Sequence, residues 1–187
     1  MKRFLVAVMA LFVVASVATA QKKRSLTYVD ASTLTIVNKI HDEGKPFARL
    51  DVERYSSLTK VAKKTFQQST GLAVIFSTDS HNIYARWSVE PRKFVANCND
   101  IHSRGLDIYI RHEGRWTFAG VGRPTPRPDV LDFESPLVRN MGEGVKECMV
   151  YLPAYAQVKS LEIGVDEGAT IKALPSPFKH KIVFIGS

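Results

Sequence analysis

Apolar and polar side chains alternate through most of this chain, between turn signals spaced roughly every 8–15 residues, and that pattern predicts β-structure. In residues 83–89, Ile83, Ala85, Trp87 and Val89 share one side of an extended strand while Tyr84, Arg86 and Ser88 share the other. Residues 70–78 read as the strand before it. Asp79-Ser80-His81-Asn82 reads as the turn between them, so the two are expected to pair as a hairpin. Residues 105–111 alternate as cleanly: Leu106, Ile108 and Ile110 point one way, Asp107, Tyr109 and Arg111 the other. His112-Glu113-Gly114-Arg115 makes the next turn and residues 116–121 return. Further strands are predicted at 147–152, 160–165 and around 45–52. Leu58, Val61, Ala62 and Phe66 have helical spacing, in a stretch short enough to be a single turn or a loop. The prolines between Arg123 and Asp129 forbid a central strand there.

Two terminal segments break the pattern. Lys2 and Arg3, an apolar stretch over 4–17 and Ala18-Thr19-Ala20 before Gln21 form a signal peptide over 1–20, with cleavage after Ala20. An uncleaved anchor is the alternative; the stretch is short for a span, which needs about 20 apolar residues. No cysteine stands at the cleavage point, which argues against a lipoprotein. The expected address is the periplasm or the exterior, with no membrane association after cleavage. At the other end, Pro175 and Pro177 introduce a continuous apolar run, Ile182-Val183-Phe184-Ile185, left through Gly186-Ser187. Such a run suits the buried first strand of a parallel α/β domain. The organisation read from the chain is therefore a signal peptide (1–20), a β-module (21–175), and a linker with an orphan first strand (176–187). The module is mainly β, an antiparallel, jelly-roll-like β-sandwich.

The formal charge of +8 on 187 residues falls by two when the leader is removed. The basic residues are scattered, with Lys22-Lys23-Arg24 the one run, so the charge points to solubility or attraction to acidic glycans and not to nucleic acid. Cys98 and Cys148 are too few for a cysteine metal site, and the five histidines lack ligand spacing; no metal or other cofactor is expected. In an oxidising compartment the two cysteines form a disulfide or stay as two buried free thiols, and spacing leaves both open.

An acid and an aromatic two positions apart on one strand face suit a sugar, through C–H stacking and hydroxyl hydrogen bonds. Asp107 and Tyr109 are candidate substrate-binding residues on that ground. Tyr84, Arg86 and Arg111 join them if the strands pair in the right register; the alternative is an ordinary solvated face. Trp87 is read as core and Trp116, just after a turn, as an exposed platform. His102 and His112 flank the strand without a nucleophile beside them. Gly120-Val121-Gly122 lacks the third glycine and helix of a dinucleotide loop and is read as a sheet bend after Phe118.

The run Gly105-Leu106-Asp107-Ile108-Tyr109 resembles the Gly-x-Asp-Leu-Tyr signature of the N-terminal β-sandwich module that precedes SGNH-type hydrolase domains in exported bacterial esterases. Gly71 to Ser80, Ile83 to Trp87, Phe118 to Gly122, Tyr151 to Tyr155 and Val158 to Val165 resemble it in the same order. The resemblance implies that the terminal strand opens an α/β, flavodoxin-like hydrolase domain. Gly186 and Ser187 then match the first two positions of Gly-Ser-Ser or Gly-Asp-Ser, whose last serine is the nucleophile. That serine falls just after Ser187, so no catalytic residue of the family maps onto this sequence. The resemblance thus implies an accessory role in a serine esterase acting on carbohydrate or other acyl esters, with the hydrolase domain as partner. The alternative is a free-standing, lectin-like glycan-binding sandwich. A nucleotide-binding α/β domain beginning at the tail is a third reading. The Asp107/Tyr109 face is left open between sugar and the hydrolase domain.

Overall fold

The computed structural model describes residues 25–91 and 97–182. The expected signal peptide lies outside the described residues, as do Gly186, Ser187 and most of the orphan strand. In chain order the strands are β1 (Leu26–Asp30), β2 (Thr35–Val37), β3 (Ala73–Thr78), β4 (Ile83–Val89), β5 (Leu106–His112) and β6 (Arg115–Gly122). β7 (Asp132–Val138), β8 (Lys146–Tyr151), β9 (Val158–Asp166) and β10 (Ile171–Ala173) complete the set, and the helices are α1 (Lys60–Phe66) and α2 (Asp100–Arg104).

The strands build two antiparallel sheets, as the alternation predicts. One has four strands in the order β1-β9-β4-β7. The other has six, in the order β10-β3-β8-β5-β6, with β2 beside β3 on the β10 edge. Apolar residues from the facing sides form the core: Val74 and Phe76 of β3, Ile83, Ala85, Trp87 and Val89 of β4, Leu106 and Ile108 of β5, Val150 of β8, and Leu161 and Ile163 of β9. Trp87 is core, as expected; its indole Nε1 donates to the Arg104 carbonyl at 2.8 Å, which satisfies its one polar atom. Both cysteines are free thiols. Cys148 points into the core, where burial pushes its pKa up to about 12, and Cys98 is partly exposed.

The β5–β6 hairpin forms in the expected register, closing from His112↔Arg115. Glu113 and Gly114 both have positive φ (49° and 78°), the geometry of a two-residue type I′ turn that matches strand twist. The register skips one residue opposite Ile108/Tyr109, which places the expected bend at Ala119. A β-carbon on Gly120 would lie 2.1 Å from the Leu137 carbonyl oxygen, and one on Gly122 would lie 2.6 Å from Leu137 Cδ2. Those glycines let β6 close against β7 of the other sheet.

The hairpin expected between residues 70–78 and 83–89 does not form. β3 pairs with β2, β8 and β10, whereas β4 pairs with β7 and β9, so residues 79–82 arch from one sheet to the other. The reason is Asp166, at the end of β9. Its Oδ2 accepts from the Ser80 hydroxyl (2.9 Å) and from the main-chain N–H groups of His81 (3.1 Å) and Asn82 (3.0 Å). The Asn82 amide donates to both carboxylate oxygens, at 2.8 and 3.0 Å. These bonds satisfy the donors that a hairpin would have paired across its own ladder.

The strand expected around 45–52 is also absent. Phe47, Ala48, Leu50 and Val52 are buried, but in a loop ending in a 3-10 turn at Val52–Arg54. Lys39, itself buried, donates from Nζ to the carbonyls of Asp42, Glu43 and Lys45 at 3.2–3.4 Å, and Ser69 donates to the Phe47 carbonyl at 2.6 Å. Side-chain donors thus take acceptors that a strand would have given to a neighbour. β1, β2, β7 and β10 were not expected. β7 carries Pro136, which is tolerated because β7 is an edge strand. The segment 58–66 does hold a helix, capped by Thr59 Oγ1, which accepts from Ala62 N at 3.2 Å.

Candidate functional site

The strand face that carries Asp107 and Tyr109 is not an ordinary solvated surface. On the outer side of the six-stranded sheet, Val37, Ala73, Ile75 and Met149 form a second buried apolar cluster, and Tyr109, Trp116, Tyr151 and Leu174 pack on it. The run from Gly105 to Tyr109 is strung between the two clusters. Leu106 and Ile108 enter the sandwich core, while Tyr109 joins the outer cluster. Gly105 has no room for a side chain: a β-carbon there would lie 2.4 Å from the Ile101 carbonyl oxygen, which also accepts the Gly105 N–H and ends α2. Packing therefore fixes Gly105, Leu106, Ile108 and Tyr109.

Asp107 is exposed at its tip. Partial burial raises its pKa above the ordinary carboxylate value, and the neighbouring charge of His102 opposes that shift. The Tyr109 ring stands edge-on between two others, Phe118 at 5.7 Å and 76° and Tyr151 at 5.6 Å and 78°. Trp116 lies across from Arg111, whose guanidinium pairs with Glu147 at 3.0 Å. The structure thus brings Asp107, Tyr109 and Trp116 to one face. His102 stacks edge-on against Tyr155 at 5.2 Å, and His112 is exposed at the β5–β6 turn. The alternation of residues 105–111 alone did not show Phe118, Tyr151, Met149 and Leu174 as members of this face. The signal was available in β8, where Met149 and Tyr151 occupy outward positions that a solvated face would give to polar residues.

Arg86 does not belong with them. It lies on β4, on the outer side of the four-stranded sheet, because β4 never pairs with β3. There its Nε donates to Glu134 Oε2 at 3.0 Å and its guanidinium covers the Tyr28 ring at 3.7 Å. The Tyr28 hydroxyl donates to Glu134 Oε1 at 2.9 Å; burial and that bond push its pKa up to about 12. Gly164 makes the arrangement possible, since a β-carbon there would strike the Tyr28 ring at 2.6 Å. This face bears a groove of about 550 Å³ lined by Asp30, Arg86, Ser88, Glu134, Ser160 and Glu162 among others. Among the described residues no group of three or more His, Cys, Asp or Glu is placed to hold a metal ion.

Comparison with known families decides the identity of this two-faced sandwich: the GxDLY family, the N-terminus of esterases of the SGNH-hydrolase type, matches residues 26–171. The chain belongs to the GxDLY family. A solved protein of Bacteroides ovatus, provisionally named a GDSL-like lipase, is 42% identical with a TM-score of 0.78; the alignment covers 83% of this chain and 45% of that one. A salicylyl-acyltransferase, SsfX3, from a tetracycline biosynthetic pathway shares the fold at 19% identity and a TM-score of 0.59, over 81% of this chain and 42% of that one. Among curated proteins none matches. The GxDLY module thus spans less than half the length of each of these solved proteins. Its namesake residues are Gly105, Asp107 and Tyr109, with Ile108 where the signature has leucine.

Proposed function

We propose that this chain is the N-terminal accessory domain of an exported SGNH-type serine esterase, which acts on carbohydrate or other acyl esters through a hydrolase domain C-terminal to it. The observation that carries this reading is the family match over residues 26–171, joined to the 42% likeness to the lipase-like protein. Two of the histidines and two of the serines are engaged in bonds that hold the sandwich itself. His41 is bonded to the Tyr55 hydroxyl and His81 Nδ1 lies 2.7 Å from the Met141 carbonyl. The buried Ser69 and Ser80 serve main chain and Asp166. Serine chemistry needs a base within hydrogen-bond reach of the hydroxyl and donors for the oxyanion.

The test compares the 187-residue chain with the intact natural gene product on p-nitrophenyl acetate. The expected result is turnover by the natural product and none by the 187-residue chain above the blank. Turnover by the short chain would place the catalytic serine inside the sandwich and end the accessory reading. N-terminal sequencing of the secreted protein is expected to start at Gln21. Retention of residues 1–20 in a membrane fraction would replace cleavage with anchoring.

A further inference from the structure

The two outer faces of the sandwich differ in kind. On the four-stranded sheet several outward polar groups pair with one another: Arg86 with Glu134, Tyr28 with Glu134, and Ser88 with Ser160 at 2.6 Å. On the six-stranded sheet four rings, Tyr109, Trp116, Phe118 and Tyr151, sit over or beside a buried apolar cluster, and Phe118 is 54% exposed. Charges stand around them: Asp107, and the Arg111–Glu147 pair. An apolar aromatic centre inside a charged rim is the anatomy of a protein interface.

The path of the chain says what covers it. β10 runs along the edge of β3, and the next residue, Leu174, packs on the same outer cluster. Its carbonyl accepts a hydrogen bond from the Thr35 hydroxyl. Residues 176–182 then continue beside β2 and the 38–42 loop, with Lys181 Nζ 3.8 Å from Asp42. Eight residues reach at most about 28 Å when fully extended. A domain tethered through this segment starts from the β2 edge of the six-stranded sheet, where Val37 and Leu174 belong to the same outer apolar cluster. A sugar fits this face less well. The Tyr109 ring is steeply tilted to both its neighbours, so the three form interlocked edges instead of one flat platform.

We propose that the outer face of the six-stranded sheet, centred on Tyr109, Trp116, Phe118 and Tyr151, is the surface on which the SGNH hydrolase domain docks. The inference rests on the accessory-domain reading above and adds which face the partner uses and by what chemistry. The partner side presents apolar side chains to Phe118 and Trp116, and charges of opposite sign to Arg111, Glu147 and Asp107. Phe118 is the anchor of the contact because it is the ring still exposed.

The decisive variant is Phe118→Arg, made both in the 187-residue chain and in the intact natural product. In the short chain Phe118 is solvent-facing, so the midpoint of thermal unfolding is expected to stay within about 2 °C of wild type. In the natural product the same change is expected to free the connection. Trypsin cleavage after Lys179 or Lys181 should accelerate about tenfold, because cleavage tracks the population of the undocked form. A matched Arg86→Ala variant on the opposite face should leave that rate unchanged. A natural product that hydrolyses p-nitrophenyl acetate, but whose cleavage rate responds to Arg86→Ala and not to Phe118→Arg, overturns the docking face and leaves the accessory reading standing. A natural product without ester hydrolysis overturns the accessory reading itself. Concentration-dependent dimerisation of the 187-residue chain, abolished by Phe118→Arg, would assign the face to a second copy instead.

Discussion

Replacing Asp166 with alanine is expected to destabilise the sandwich by about 3 kcal/mol, read as a lower urea midpoint at unchanged slope. The effect is large for one carboxylate because of what it leaves behind. The Ser80 hydroxyl, the His81 and Asn82 N–H groups and the Asn82 amide all aim at it, and Ser80 and Asn82 are buried. Without the acceptor, that arch holds several donors away from water with nothing to receive them. The same network fixes the pH dependence. Burial pushes the Asp166 pKa up, but the hydrogen bonds from Asn82, Ser80 and the main chain outweigh it, so the folded value lies below the ordinary one. A group depressed in the folded state stabilises it above its unfolded pKa, near 3.9, and that contribution is lost as pH falls through the lower folded value. Wild type is therefore expected to lose stability on acidification below about pH 4, and Asp166→Ala to show a flatter acid limb. Identical acid limbs would mean that the carboxylate does not hold the arch.

The second large effect is expected at Arg104, where alanine should cost about 3–4 kcal/mol. The Arg104 side chain is 6% exposed. Its guanidinium pairs with Asp100 at 2.7 Å, donates to the carbonyls of Arg127 (3.2 Å) and Val130 (2.8 Å), and lies over the Phe133 ring at 5.2 Å. One residue thus ties α2, the proline-rich loop and β7 together, immediately before Gly105. Truncation strands Asp100 and two carbonyls and opens space against Phe133. Arg104→Met, which restores bulk without donors, is expected to recover part of the loss. If methionine restores wild-type stability in urea unfolding, packing rather than hydrogen bonding holds this corner.

The sandwich was legible wherever a strand has one face in the core and one in water. Residues 83–89 are such a stretch; along 105–111 the alternation also names the inward residues, although the outer side of that strand meets a second apolar cluster. The arch at 79–82 was not legible, because its deciding partner is Asp166, more than 80 residues away. Locally, Asp-Ser-His-Asn carries the chemistry of a hairpin turn. The segment 45–52 misled for a related reason. Its apolar residues are buried, as a strand's would be, but Lys39 and Ser69 supply the hydrogen bonds. β7 was hidden by Pro136, which excludes a central strand and is harmless on an edge.

The candidate site was half legible. Asp107, Tyr109 and Trp116 do share a face, yet alternation along one strand reveals which side a residue takes and nothing of what lies over it. That the outer side is apolar comes from Ile75 and Met149 on neighbouring strands and from Leu174 beyond the last one. The placement of Arg86 with this group depended on the strands at 83–89 and 105–111 pairing, and they lie in different sheets.

The central proposal is that this sandwich is the accessory domain of a serine esterase whose hydrolase domain lies C-terminal to it. The most direct measurement is the intact mass of the natural gene product before and after treatment with a fluorophosphonate, with the labelled peptide sequenced. The account predicts a product well above the 20.9 kDa of this chain, carrying one phosphonyl group on a serine beyond Ser187. A product no heavier than 20.9 kDa that takes no label, or a label on a serine within residues 25–182, would contradict it.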